Sequence, residues 1–482
     1  MILEAHPHQF MVIVPAAART LFPPPGHSTR RRDRCPTPAG GPACGSTSKC
    51  LSVLIPSPVL WRFRLDLRFL SRILGPVQAP ATPEQTENPP ALWPRKARPA
   101  LIAGVLLWVV PMLVIGVLVA LRPRHRTVTL DSYHVAAGNW WEGKTLYAGP
   151  QGMNYLPHFA VLFSPFHFVP LWLGEVLWRF CAAATLAGGL WRLMCALFRS
   201  APERPFFWAT VVAMPLCMTS LRNGNANALF GGVTLLAIVA LVNRRWWLAL
   251  GLMALVTAIK PLGVVLLLLA PVFYRPLRWR LPVALLGLAA FPFLFASPAY
   301  VCSQYVEAWG NLQACAVVTE HRFADINGLL RTFGTAFGPS VSKLVRVLAG
   351  GVTAVVWWWG ARRLREPLPG LWLYALATAY LMLFNPMNEE NSYSILAPAL
   401  GAWAAFFLFS PEGRNARGLG WAIVSMALSM GLLPNIVRPL FGNYFALFWH
   451  PFMTLVFIAL LGYFVWRSPA LDYAYEQVGQ HP

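Results

Sequence analysis

Residues Asp131–Phe166 read DSYHVAAGNWWEGKTLYAGPQGMNYLPHFAVLFSPF, and the chain is read around them. The stretch follows a strongly apolar run at 100–121 and is too polar at its start to be a membrane span. It carries an acid, histidines, several aromatics and an apolar tail broken by proline. A loop of this kind beside membrane-crossing segments is a place for chemistry on a lipid-linked substrate, with the rest of the chain as its scaffold.

The surroundings bear this out in composition. Of 482 residues, 57% are hydrophobic and only 12% charged, whereas soluble domains carry about 25% charged residues. Apolar runs near the spanning length of about 20 residues recur up to Val465. Runs this apolar cross a bilayer as helices, because every backbone polar group must be bonded internally. The alternating segments of a β-barrel are not seen. The expectation is therefore an all-α polytopic membrane protein. Spans are expected at 100–121, 170–197, 206–221, 228–243, 246–258, 262–273, 281–297, 341–360, 369–385, 392–410, 418–433 and 448–466. Several are too short to cross alone, and Lys260-Pro261 separates two that read as half-helices.

The formal charge of +21 comes from 39 Lys+Arg against 18 Asp+Glu. No nucleic-acid motif accompanies it. Its arginines fall in short loops: Arg199 and Arg204; Arg244 and Arg245; Arg275, Arg278 and Arg280; Arg362, Arg363 and Arg365; Arg414 and Arg417; Arg467. With the N-terminus cytoplasmic these loops share the inner side, next to anionic headgroups. Arg122, Arg124 and Arg126 are the exception; lying close to Asp131, they could serve a phosphate instead. The opposite, external side then collects Asp131–Asn154, Arg222–Asn227, the Lys260 break, Glu320–Asn327 and Asn388–Asn391. Residues 1–98 are Pro-rich and basic and are expected to be disordered, or an over-long start; a surface helix at Leu60–Leu74 is the one element they suggest. Residues 99–467 form the membrane domain and 468–482 a cytoplasmic tail.

Each candidate residue has two readings. Asp131 is a general base or hydroxyl ligand, or a helix N-cap, with His134 one turn away as a phosphate or hydroxyl partner, or without a role. Tyr155-Leu-Pro157-His158 leads into a re-entrant piece or into the next span. Asn225 and Asn227, in Asn223-Gly-Asn-Ala-Asn227, bind sugar hydroxyls or close a turn. Lys260, a cation in an apolar run, holds a phosphate or snorkels to the headgroups. His321 and Arg322 lie in a long external loop, where Arg322 is a bidentate phosphate candidate or simply solvated. Asn388 and Glu389 bind hydroxyls, orient a base or cap a helix.

Gly138-Asn-Trp-Trp-Glu-Gly143-Lys144-Thr145 fits the phosphate-loop pattern by letter, but no buried strand precedes it. No metal motif and no GxSxG elbow is present, and the 8 cysteines form no metal pattern. Cys302 and Cys315, in one expected loop, are either a disulfide or two unrelated small residues.

In order, these landmarks resemble the bacterial glycosyltransferase family 87. They are Asp131-Ser-Tyr-His-Val-Ala-Ala, Trp141-Glu-Gly143-Lys-Thr-Leu146-Tyr147, Asn154-Tyr155-Leu156-Pro157, Asn223-Gly-Asn-Ala-Asn227, Ala258-Ile-Lys260-Pro261 and Asn385-Pro386-Met-Asn388-Glu389. Leu156 stands where the family usually has a first proline. The likeness covers about residues 100–410. It implies a GT-C type bundle, here of roughly 10–13 transmembrane helices by the apolar runs, with a large first external loop. It also implies a polyprenyl-phosphate sugar as donor, with mannose the family's best-known sugar, inversion, and no cofactor or metal. Asp131 becomes the expected base, and Lys260, Arg322 and His134 the phosphate candidates. The expected partners are membrane lipids, the lipid-linked sugar and a glycan or glycolipid acceptor, at the external face of the bacterial plasma membrane. The competing reading is a carrier or flippase for a lipid-linked or small polar substrate, which broken helices and an intramembrane lysine also fit.

Overall fold

The helices begin and end where prolines, glycines and arginines interrupt the apolar runs. The computed structural model of the protein describes residues 98–122, 129–148, 152–316, 323–442 and 444–468, and of Arg98, Leu130 and Asp131 the backbone alone. The expectations for residues 1–97, Arg124, Arg126, Glu320, His321, Arg322 and 469–482 lie outside the described residues.

After α1 (Arg98–Leu121), a π-helical turn (Thr129–His134) runs straight into α2 (Val135–Trp141). The short α3 (His158–His167) is followed by α4 (Leu171–Leu197), α5 (Glu203–Asn223), α6 (Asn227–Val242) and α7 (Trp246–Ile259). Next come α8 (Val264–Phe273), α9 (Leu281–Ala290), α10 (Pro298–Cys315) and α11 (Ile326–Thr332). The chain continues through α12 (Pro339–Ala361), α13 (Leu368–Phe384), α14 (Ala397–Phe409), α15 (Arg417–Phe441) and α16 (Tyr444–Arg467). No strand occurs among the described residues. The protein is an all-α polytopic membrane protein.

Five segments are long and apolar enough to cross a membrane alone: Pro99–Leu121, Leu171–Leu197, Pro339–Ala361, Arg414–Phe441 and Tyr444–Arg467. Six shorter apolar helices of 10–17 residues complete the bundle. Helices α6, α13 and α14 are buried almost all round. In contrast, α1 exposes Leu113, Val114 and Val117, and α12 exposes Val347, Val352 and Val355. Exposed aliphatic stripes of this extent suit lipid, not water. Where helices cross, small residues let the backbones meet. A Cβ on Gly232 of α6 would lie 2.6 Å from the backbone of Thr185 and Leu186 in α4, and one on Gly401 of α14 would lie 2.5 Å from Ala209 O in α5.

The arginine-bearing loops gather. Arg199 and Arg204 share a cavity of about 400 Å³ with Pro367, Phe409 and Glu412. The Tyr274 hydroxyl donates to Glu366 (3.4 Å), and Arg363 to Trp466 O (3.2 Å). Arg280 lies over Trp279, Arg362 over Trp358 and Arg467 over Tyr463, an aromatic belt of the kind found at membrane surfaces.

Local geometry settles several points of the helix layout. The stretch after residue 297 is not an open loop, because Pro298–Cys315 forms α10, with Pro298 favourably placed in its first turn. Cys302 and Cys315 therefore lie on one helix and are free thiols. Asp131 does not open a helix as its N-cap, since the π turn already starts at Thr129 and Asp131 sits inside it. Finally, α3 is a separate ten-residue buried helix, too short to cross and parted from α4 by Pro170.

Candidate functional site

At the end of α5, Gly224 adopts φ +75°, which glycine tolerates without a Cβ clash, and closes the helix. Trp178 Nε1 donates to Gly224 O (2.7 Å), and the Ala226 N–H donates to the Tyr133 hydroxyl (3.2 Å). The Asn223–Asn227 turn is thus both a helix cap and the place where α6 starts with a buried Asn227. Asn225 is buried in it, its backbone N–H bonded to Ser220 O (3.1 Å).

Tyr133, from the π turn, meets Tyr155 hydroxyl to hydroxyl at 3.0 Å and packs edge-on against Phe159, Phe163 and Trp178. The Tyr155 ring carries the Lys260 ammonium over its face, 5.2 Å from the centroid. Lys260 is in extended conformation (φ −144°, ψ 135°) because Pro261 cannot continue α7. Its ammonium donates to Asn227 Oδ1. Asn227 Nδ2 donates to Asn391 O and Oδ1, both at 3.3 Å, and Asn391 Nδ2 to Glu389 Oε2 at 3.0 Å. Four landmarks far apart in sequence, Tyr155, Asn227, Lys260 and Glu389, thereby form one connected polar group.

Other candidates are placed differently. Asn388 is fully buried, and its amide N–H groups go to Met382 O (2.7 Å) and Ala324 O (3.4 Å). It braces the 323–325 segment to the end of α13. Asp325 caps α11 through Gly328 N–H (2.7 Å), and burial pushes its carboxyl up to about 6.

His134 turns inward. Its Nε2 lies 3.5 Å from Glu175 Oε1, and its ring faces Phe163 and His167. Burial, helped by His167, lowers its pKa from 6.5 to about 4. A neutral imidazole is a poor holder of a phosphate but can still meet a hydroxyl, and the buried His134 Nε2 has no hydrogen-bond partner among the described residues. Because the unfolded chain binds this proton and the folded one does not, stability is present above pH 6.5 and is lost as pH falls toward about 4. The slope is at most about 1.4 kcal/mol per pH unit. Hydrogen exchange of residues 133–141 is expected to quicken over that window and to lose its pH dependence in His134→Asn.

Two features had no reading in the sequence. In α4, Glu175 and Arg179 are 0% and 1% exposed and pair at 2.5 Å. Glu175 also accepts from the Thr129 hydroxyl, and Arg179 Nε donates to Arg222 O (3.2 Å). The pair ties the π turn to the Gly224 turn, and two opposite charges at i,i+4 in an apolar run were its only signal. The second is α10, which lies along the first loop. Leu146 N–H donates to Gln304 Oε1 (2.9 Å), the Tyr300 hydroxyl to Lys144 O (2.7 Å) and Asn311 Nδ2 to Met153 O (2.9 Å). The Thr145 hydroxyl goes to Glu307, and Lys144 pairs with Glu142 (2.6 Å) in the open. A helix precedes this turn and its threonine is engaged, so the Gly-Lys-Thr letters do not form a phosphate loop.

No metal-holding group of His, Cys, Asp or Glu occurs among the described residues. No curated protein and no solved structure matches the chain. The model of glycosyltransferase family 87 matches residues 154–386, just under half of the chain, with Tyr155, Asn227 and Lys260 inside the match, Asp131 before it and Glu389 after it. The protein is thus a multi-helix membrane protein whose residues 154–386 match the model of glycosyltransferase family 87.

Proposed function

We propose that this membrane glycosyltransferase moves a sugar, a hexose such as mannose, from a polyprenyl-phosphate donor to an acceptor hydroxyl at the external membrane face, with inversion. Asp131 takes the proton of the acceptor hydroxyl. The acceptor oxygen bonds to the anomeric carbon from the side opposite the phosphate. The carbon–oxygen bond to phosphate breaks, its electron pair leaving with the polyprenyl phosphate, whose growing charge Lys260 neutralises.

The observation that supports this reading is the convergence of Tyr155, Asn227, Lys260 and Glu389 beside the turn that carries Asp131. An ammonium at a helix break, over an aromatic ring and among amides, suits a phosphate next to sugar hydroxyls. A panel of radiolabelled polyprenyl-phosphate sugars with native lipid extract tests it. Label should enter a new product, and Lys260→Met should raise the donor KM by roughly tenfold to a hundredfold, the worth of a charged hydrogen bond. Donor binding without transfer from any sugar would favour the carrier.

A further inference from the structure

We propose that Glu389 is a positioning residue for Lys260 and acts through a relay of two side-chain amides, Asn391 and Asn227. The role of Lys260 toward phosphate rests on the proposed function; the relay itself does not.

The ends of the relay dictate its direction. A carboxylate only accepts hydrogen bonds and an ammonium only donates them. Glu389 Oε2 accepts from Asn391 Nδ2 (3.0 Å), which turns Asn391 Oδ1 toward Asn227. Asn227 Nδ2 donates there and to Asn391 O, both at 3.3 Å, which leaves Asn227 Oδ1 for Lys260. Flipping either amide would set N–H against N–H at one junction and oxygen against oxygen at the other. Both ends therefore select one orientation of the chain, and each bond polarises the next.

The anchoring at the acidic end is specific. Asn388, one residue earlier, is held by Met382 O and by the Ala324 backbone, its own carbonyl accepting from Ala324 N–H at 2.7 Å. Glu390, one residue later, pairs with Arg438 at 3.0 Å. Of the two adjacent acids, Glu389 is thus the one turned to the amides. Asn227 is 2% exposed, so the relay is shielded from water at its Lys260 end, while Asn391 is half-buried and Glu389 exposed. At the other end the ammonium gives one donor to Asn227 and, among the described residues, has two left for an anion.

The test is labelling of Lys260 in the full-length protein in detergent with a small amine-reactive reagent near neutral pH, followed peptide by peptide. Only the neutral amine reacts, and the relay favours the ammonium. Asn391→Leu cuts the relay while keeping both charges, with Asn391→Ser as a milder cut; both are expected to speed Lys260 labelling about three- to tenfold, up to one pKa unit. Glu389→Gln should do the same and Glu389→Asp should stay near wild type, with Lys144 as the internal reference. If Asn391→Leu and Asn391→Ser leave Lys260 labelling unchanged, the relay is overturned, whether or not Glu389→Gln alters it through space. A loss of all transfer by the wild-type protein would sink the proposed function and leave the labelling result standing.

Discussion

Asp131→Asn is expected to lower sugar transfer by about 10²–10⁴-fold, the usual worth of a positioned general base, while donor binding persists. Asparagine keeps the shape and the hydrogen-bonding capacity of the side chain but cannot take the acceptor proton. The backbone around it is a π-helical turn, Thr129–His134, and such turns recur at functional sites because they displace a side chain from the regular helical row. Tyr133 of the same turn is fastened at its hydroxyl to Tyr155 and to the Ala226 N–H. The turn is thus held against the Lys260 group by bonds that do not involve Asp131 itself, and the substitution should leave that group in place. The measurement is single-turnover transfer beside donor binding in the same preparation. Transfer at the wild-type rate would remove Asp131 from the chemistry, and loss of donor binding together with transfer would point to a structural lesion.

Arg179→Met is expected to destabilise the bundle by about 3–5 kcal/mol, because it removes the guanidinium from a fully buried carboxylate. The loss spreads beyond one ion pair. Arg179 Nε also holds Arg222 O, and its guanidinium lies so close to Gly224 that a Cβ there would come within 2.8 Å of it. The Gly224 turn should loosen, and with it the placement of Asn227. Replacing both charges, Glu175→Gln with Arg179→Met, is expected to recover most of the stability, since no uncompensated charge then stays buried. Thermal unfolding in detergent of the two single variants and the double variant measures this. Equal melting of Arg179→Met and wild type would mean that water or lipid headgroups reach Glu175.

Much of the helical framework was legible because the cues are local. The segment expected at 170–197 is α4 at Leu171–Leu197, and Lys260-Pro261 breaks the chain between α7 and α8 as proline chemistry requires. The errors lie where polar and apolar residues mix. Pro298–Cys315 contains Ser303, Gln304, Glu307 and Asn311, so its composition resembles a loop, yet those residues are polar because the first loop bonds to several of them. His134 and Asn388 turn inward, His134 beside Glu175 and Asn388 onto Met382 O and Ala324 O, which no local sequence cue announces.

The sequence by itself determined an all-α membrane bundle, the positions of its breaks and the family landmarks. Hydrophobic length, proline, glycine and arginine act over a few residues and need no partner. Only the tertiary structure decided which helix ends share a site. It joined Lys260 to Asn227, Asn391 and Glu389, buried Glu175 against Arg179, and laid α10 on the first loop. These contacts reach across as many as 164 positions between Asn227 and Asn391, and 158 between Leu146 and Gln304. Partner choice at that distance follows from how the apolar faces pack, which sets where each polar end arrives.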